Sequence, residues 1–127
     1  MNNQKKNIIK EFNTILECFI GQVCKLTNRT IYHTIFKQLI KLNSTFPINE
    51  FSREVLVFEN KIITRDESFF LQNPMIDNKI KNENPEIVFK EIFRLKDVWI
   101  SLDDECKNKL WELIIGLFYL AKKYSQI

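Results

Sequence analysis

The sequence predicts an all-α fold: a single-domain bundle of about five helices over residues 1–127, with the apolar C-terminal helix central. Three observations carry this. Apolar residues recur at spacings of three and four along most of the chain, the period of an amphipathic helix. Two glycines and three prolines in 127 residues are too few for the many tight turns of a sandwich or barrel. The clearest helix-start signal is followed by a long apolar stripe. The length suits one domain with a real core.

From about Asn3 to Leu26 the spacing predicts a long amphipathic helix through Ile8, Phe12, Ile15, Phe19, Val23 and Leu26. Ile9, Leu16 and Ile20 broaden that face, while Lys6, Lys10, Asn13, Glu17 and Gln22 fall mostly off it. Gly21 weakens this helix slightly and is a point where a neighbour could approach closely. Thr27-Asn28 reads as a break. A second helix, about Arg29 to Leu42, carries Ile31, Ile35, Phe36, Leu39, Ile40 and Leu42, with His33 and Lys37 outward. Asn43 to Pro47 reads as a turn, Asn and Ser supplying local side-chain bonds and Pro47 resisting a continuing helix.

Phe51, Val55, Leu56 and Phe58 fit a third helix over about Asn49 to Asn60. The runs V-L-V-F and K-I-I-T are also rich in strand formers, so a short strand pair around Glu59-Asn60 is the competing reading for residues 49–66. Glu67 to Leu71 is a short apolar knot expected to dock as one helical turn. Asn73-Pro74 breaks the chain, Met75 to Lys81 suggests a short helix, and Lys79 to Asn84 a polar linker.

The segment from Asn84 to Tyr124 organises the rest. Asn84-Pro85 opens a helix whose stripe is Val88, Phe89, Ile92, Phe93 and Leu95, running towards Val98 and Trp99. Ser101 followed by Asp104 has the spacing of a capping box. Asp103, Asp104 and Glu105 in the first turn and Lys122 and Lys123 in the last match the helix dipole. Cys106, Leu110, Leu113, Ile114, Leu117, Phe118 and Ala121 form the stripe. Trp111, Ile115, Tyr119 and Leu120 widen it until little of the C-terminal half is polar, which marks a central helix or one that meets a partner. The very short join makes the two helices an antiparallel or steeply crossed pair.

Catalytic apparatus is not visible. Gly21 and Gly116 stand isolated in apolar helices, which excludes a glycine-rich phosphate loop. A single His33 leaves any Ser-His or Cys-His pair one candidate base, with no nameable partner. Asp103-Asp104-Glu105 is explained as the charged first turn of a helix before it is read as a metal or acid/base cluster. Cys18, Cys24 and Cys106 lack metal-ligand spacing and read as reduced, buried thiols. The sequence thus predicts no catalytic residues, no metal site, no cofactor and no small-molecule substrate. The N-terminus has no continuous apolar run of a signal peptide, and the window Leu110 to Ala121 is too short to span a bilayer.

Two classes of partner remain. Trp111, Ile115 and Tyr119 are candidate anchors for a protein partner or a second copy of the chain, although a core role for both tryptophans is the plainer reading. Net charge is +3 overall, but residues 1–48 carry +5 and the remainder −2. Lys5, Lys6, Lys10, Lys25, Arg29, Lys37 and Lys41 are therefore the candidate nucleic-acid contacts, with a solvated helix face as the simpler account.

Asp97-Val98-Trp99, then Ser101-Leu102, then Cys106-Lys107-Asn108-Lys109 with Leu110-Trp111-Glu112 and an aliphatic run form a recognisable order. This segment resembles small uncharacterised helical proteins of giant and other large DNA viruses. Thr45-Phe46-Pro47 is similar to an early Thr-Phe-Pro in the same proteins. The abundance of Ile, Lys, Asn and Phe suits an AT-rich genome. The resemblance implies no activity and no site residues; it implies a cytoplasmic location, in an infected host cell. The function expected is a non-enzymatic interaction or assembly role through apolar helical surface, with nucleic-acid association as the alternative.

Overall fold

The computed structural model describes residues 3–28, 30–71 and 99–127, and every regular element among them is helical. In chain order these are α1 (Asn3–Thr27), α2 (Ile31–Leu42), α3 (Phe46–Val55), a 3-10 turn (Leu56–Phe58), α4 (Glu59–Ile63), α5 (Ser68–Leu71) and α6 (Asp104–Ser125). The fold is an all-α bundle. The predicted short helix from Met75, the linker to Asn84 and the helix opening at Asn84-Pro85 lie outside the described residues.

α1 turns Ile8, Phe12, Leu16, Phe19, Ile20 and Val23 inward, and ends where Asn28 takes a left-handed φ of 57°. An asparagine tolerates that conformation better than most residues, and it turns the chain out of the helix. Cys18 is a correction: it is exposed, because Leu16, Phe19 and Ile20 occupy the inward arc beside it. Cys24 and Cys106 are half-buried, and all three thiols are free. Gly21 admits no close neighbour; a Cβ built there meets no described atom within 4 Å. α2 begins at Ile31 rather than Arg29, and its expected apolar end is not covered, since Leu42 is 85% exposed.

Asn43 closes α2 in extended backbone, and its Oδ1 accepts from Thr45 N–H at 3.0 Å and Thr45 Oγ–H at 2.6 Å. Pro47 does not delay the next helix as expected. α3 starts at Phe46 with the proline in its first turn, where no intrahelical N–H is needed. Residues 49–63 are helical throughout, which decides against the strand pair. Val55 and Ile62 are buried while Val57 and Ile63 are exposed, so the run does not alternate as a half-buried strand would. Glu50, buried on α3, accepts from the Arg53 guanidinium, which meets the charge that burial would otherwise strand.

α4 closes at Arg65, whose φ is 54°, and Asp66 Oδ1 accepts from Ser68 N–H at 2.9 Å to start α5. The predicted single docking turn forms there, with Phe69 and Phe70 at 1% and 0% exposure. The cap of α6 is also a correction. Asp103, not Ser101, is the N-cap; its extended backbone lets Oδ1 accept from Cys106 N–H at 2.8 Å. Hydrogen bonds from both backbone and side chain of Cys106 hold the Asp103 carboxyl below the usual carboxylate range.

α6 runs antiparallel to α1. Lys5 Nζ lies 5.3 Å from the Tyr124 ring centre at one end, and a Cβ on Gly116 would sit 3.7 Å from Ile15 Cδ1 midway. Gln22 shares a depression with Cys106 at the other end. α6 also packs on α3, the 3-10 turn and α4, with Lys122 Nζ reaching Glu59 at 3.1 Å. These contacts on several sides account for the breadth of its apolar surface.

Candidate functional site

α1 shows a second stripe beside its core face. Lys6, Ile9, Lys10, Asn13, Thr14 and Glu17 follow the helical spacing i, i+3, i+4, i+7, i+8, i+11. Together with Phe36, Ile40 and Ser44 they line an open groove of about 390 Å³ between α1 and α2. Its floor is apolar: Phe36 is buried, and Ile9 and Ile40 are half-buried against the core. Two polar clasps join its walls. His33 Nε2 lies 3.0 Å from Glu17 Oε2, and Asn13 Nδ2 donates to the Ser44 carbonyl at 2.9 Å.

The lysines named from the sequence divide over this geometry. Lys6 and Lys10 belong to the groove itself. Lys37 and Lys41 stand one position on from Phe36 and Ile40, on the exposed flank of α2. Lys5 is turned to the Tyr124 ring, and Lys25 lies about 22 Å along α1 from Lys10, taking 1.5 Å per residue. Arg29 lies outside the described residues. Two of the seven positions thus line the groove and two more are exposed on α2, which itself carries no acidic residue.

The C-terminal candidates separate along one ridge of α6. Trp111 is 4% exposed in an aromatic cluster, its ring centre 4.9 Å from Phe70 and 5.9 Å from Trp99. Trp99 is fully buried and stacks on Phe70 at 4.6 Å, with Lys107 Nζ 5.5 Å from its ring centre. Ile115 is half-buried, and Tyr119 is exposed, its ring edge-on to Phe118. The large apolar area of α6 is therefore mostly interior, with Tyr119 the outward point of the ridge.

Among the described residues no group of three His, Cys, Asp or Glu side chains gathers in a way that would hold a metal ion. None of the described helices is long and apolar enough to cross a membrane. Sequence reading missed the groove's floor as a site, since Ile9, Phe36 and Ile40 read as core. The signal that could have found it is the mixed stripe of Lys6, Ile9, Lys10, Asn13, Thr14 and Glu17, neither apolar enough for a core nor polar enough for a solvated face.

No protein-family model matches the sequence, and no solved structure matches it. The chain is 28% identical over 93 residues, 73% of its length, to an uncharacterised protein, R465, of Acanthamoeba polyphaga mimivirus. It spans about half the length of that relative, 51%. A likeness of 93 residues reaches beyond the C-terminal segment that carries the sequence resemblance. It supports similarity to an uncharacterised protein of a large DNA virus, and it assigns no activity.

Proposed function

We propose that this chain is a non-enzymatic interaction protein that binds a protein partner through apolar helical surface. One observation carries the reading: the α1–α2 groove has an apolar floor left open between two helices whose other apolar residues are mostly buried in the core. Concave apolar sites with a few polar groups at the rim are typical of binding sites. The exposed Tyr119, beside half-buried Ile115, is a smaller second surface that suits self-association.

The test is purification of the tagged chain from its native cells, with and without nuclease, followed by light scattering. A stoichiometric protein that survives nuclease, or a mass above one chain, is the expected result. A monomer that retains nothing refutes the reading. The nucleic-acid alternative is favoured by Lys6 and Lys10 in the groove lining and the exposed Lys37 and Lys41 on the neighbouring helix. It requires retention that nuclease abolishes and binding that weakens steeply with salt.

A further inference from the structure

We infer that the α1–α2 groove is the docking site for a short, acidic amphipathic helix supplied by a protein partner. This rests on the interaction reading above and gives the partner its chemistry. The lining stripe runs from Lys6 to Glu17, about 16 Å at 1.5 Å per residue. That is three helical turns, the length over which a docked helix presents apolar anchors at i, i+3 or i+4, and i+7. Ile9, Phe36 and Ile40 form the surface such anchors would cover. A phosphate backbone gains nothing from this floor, which is why a peptide fits better than a nucleic acid.

Charge decides the sign of the partner. Lys6 and Lys10 line one wall, Lys37 and Lys41 are exposed on α2 one position on from the lining residues Phe36 and Ile40, and none of the four is ion-paired among the described residues. The lining's one carboxylate, Glu17, lies within hydrogen-bond distance of His33 Nε2, so it is held at the far end of the groove from Lys6. An incoming helix therefore meets two lysines and one carboxylate in the lining, with the exposed lysines of α2 adding to the positive side of the balance. Carboxylates on both flanks of its apolar face are the complement, and electrostatic matching of this kind raises association rate and fixes orientation.

The experiment is selection of random peptides of about sixteen residues, displayed on phage, against the purified full chain. Enriched peptides are then labelled and titrated by fluorescence anisotropy, beside a single-stranded oligodeoxynucleotide. The expected peptides are acidic with apolar residues at helical spacing. The double variant Lys10→Glu/Lys41→Glu, at exposed positions that leave the fold intact by circular dichroism, binds them at least about tenfold more weakly. Replacing the peptide glutamates by lysine restores binding to that variant.

Enriched peptides without acidic bias, or with affinity unchanged by the double reversal, overturn the proposal. An oligodeoxynucleotide that binds more tightly than any peptide, and is lost on the same reversal, overturns it in favour of nucleic acid. Peptides insensitive to the reversal but lost on Tyr119→Glu remove the groove while leaving the interaction reading intact. No enriched peptide, together with a monomeric mass and no retained protein, removes both.

Discussion

Phe70→Ala should be among the most damaging single substitutions in this protein. Phe70 is fully buried on a helix of four residues, with ring centres of Trp99, Trp111, Phe69 and Phe19 at 4.6, 4.9, 5.1 and 6.5 Å. Removing a buried phenylalanine ring costs about 3–5 kcal/mol, and the four surrounding rings cannot collapse into the space without leaving their own packing. Set against the 5–15 kcal/mol typical of a domain, this is a large fraction of the total. An unfolding entropy near 2.1 cal/mol/K per residue gives about 0.27 kcal/mol/K for this chain, so a loss of ~4 kcal/mol lowers Tm by roughly 15 °C. Thermal unfolding followed at 222 nm measures it, and tryptophan emission should shift to the red because both indoles lose their shared neighbour. Val57→Ala is the control: Val57 is 77% exposed, and its substitution should change stability by less than about 0.5 kcal/mol. A Tm loss under about 5 °C for Phe70→Ala, or one no larger than that of Val57→Ala, would refute the aromatic cluster as the centre of the core.

Three further outcomes are expected. Gly21→Ala should stabilise the protein by about 0.5–1 kcal/mol, since the residue is mid-helix with no described atom near a Cβ; a lower Tm would show that the glycine serves a close approach. Asp103→Ala should lower Tm at neutral pH. Because the folded carboxyl is held below its usual value, its contribution is present above the unfolded carboxylate pKa and is lost as pH falls through the folded one. The gap between the two proteins should therefore narrow on acidification, and an undiminished gap at pH 3 contradicts the charged cap. Cysteine alkylation followed by mass spectrometry should modify exposed Cys18 first. Cys106 should lag, as the hydrogen bond to Asp103, its partial burial and the charges of Asp103 and Glu105 raise its pKa; equal rates would disprove this.

The sequence by itself determined the helical class, the extent of α1, the break at Asn28 and the docking turn carrying Phe69 and Phe70. Each follows from local pattern: apolar spacing along the chain, or a residue whose conformational preference acts where it stands. Local signals misjudged positions decided by a single hydrogen bond. Ser101 and Asp103 are both good caps, and only the extended backbone at Asp103 directs its carboxylate onto the Cys106 N–H. Pro47 resists a helix interior but suits a first turn, so its effect depended on where Phe46 started α3. The tertiary structure alone decided that Trp111 is core while Tyr119, two turns on, faces solvent, because the neighbouring helices cover the arc of Leu110, Ile114, Leu117, Phe118 and Ala121, which takes in Trp111 and leaves Tyr119 outside. It also brought Lys6 and Lys10 to one groove with Phe36 and Ile40. That pairing joins residues about thirty apart in the chain, and a helical period carries no information about which helix comes to lie beside which.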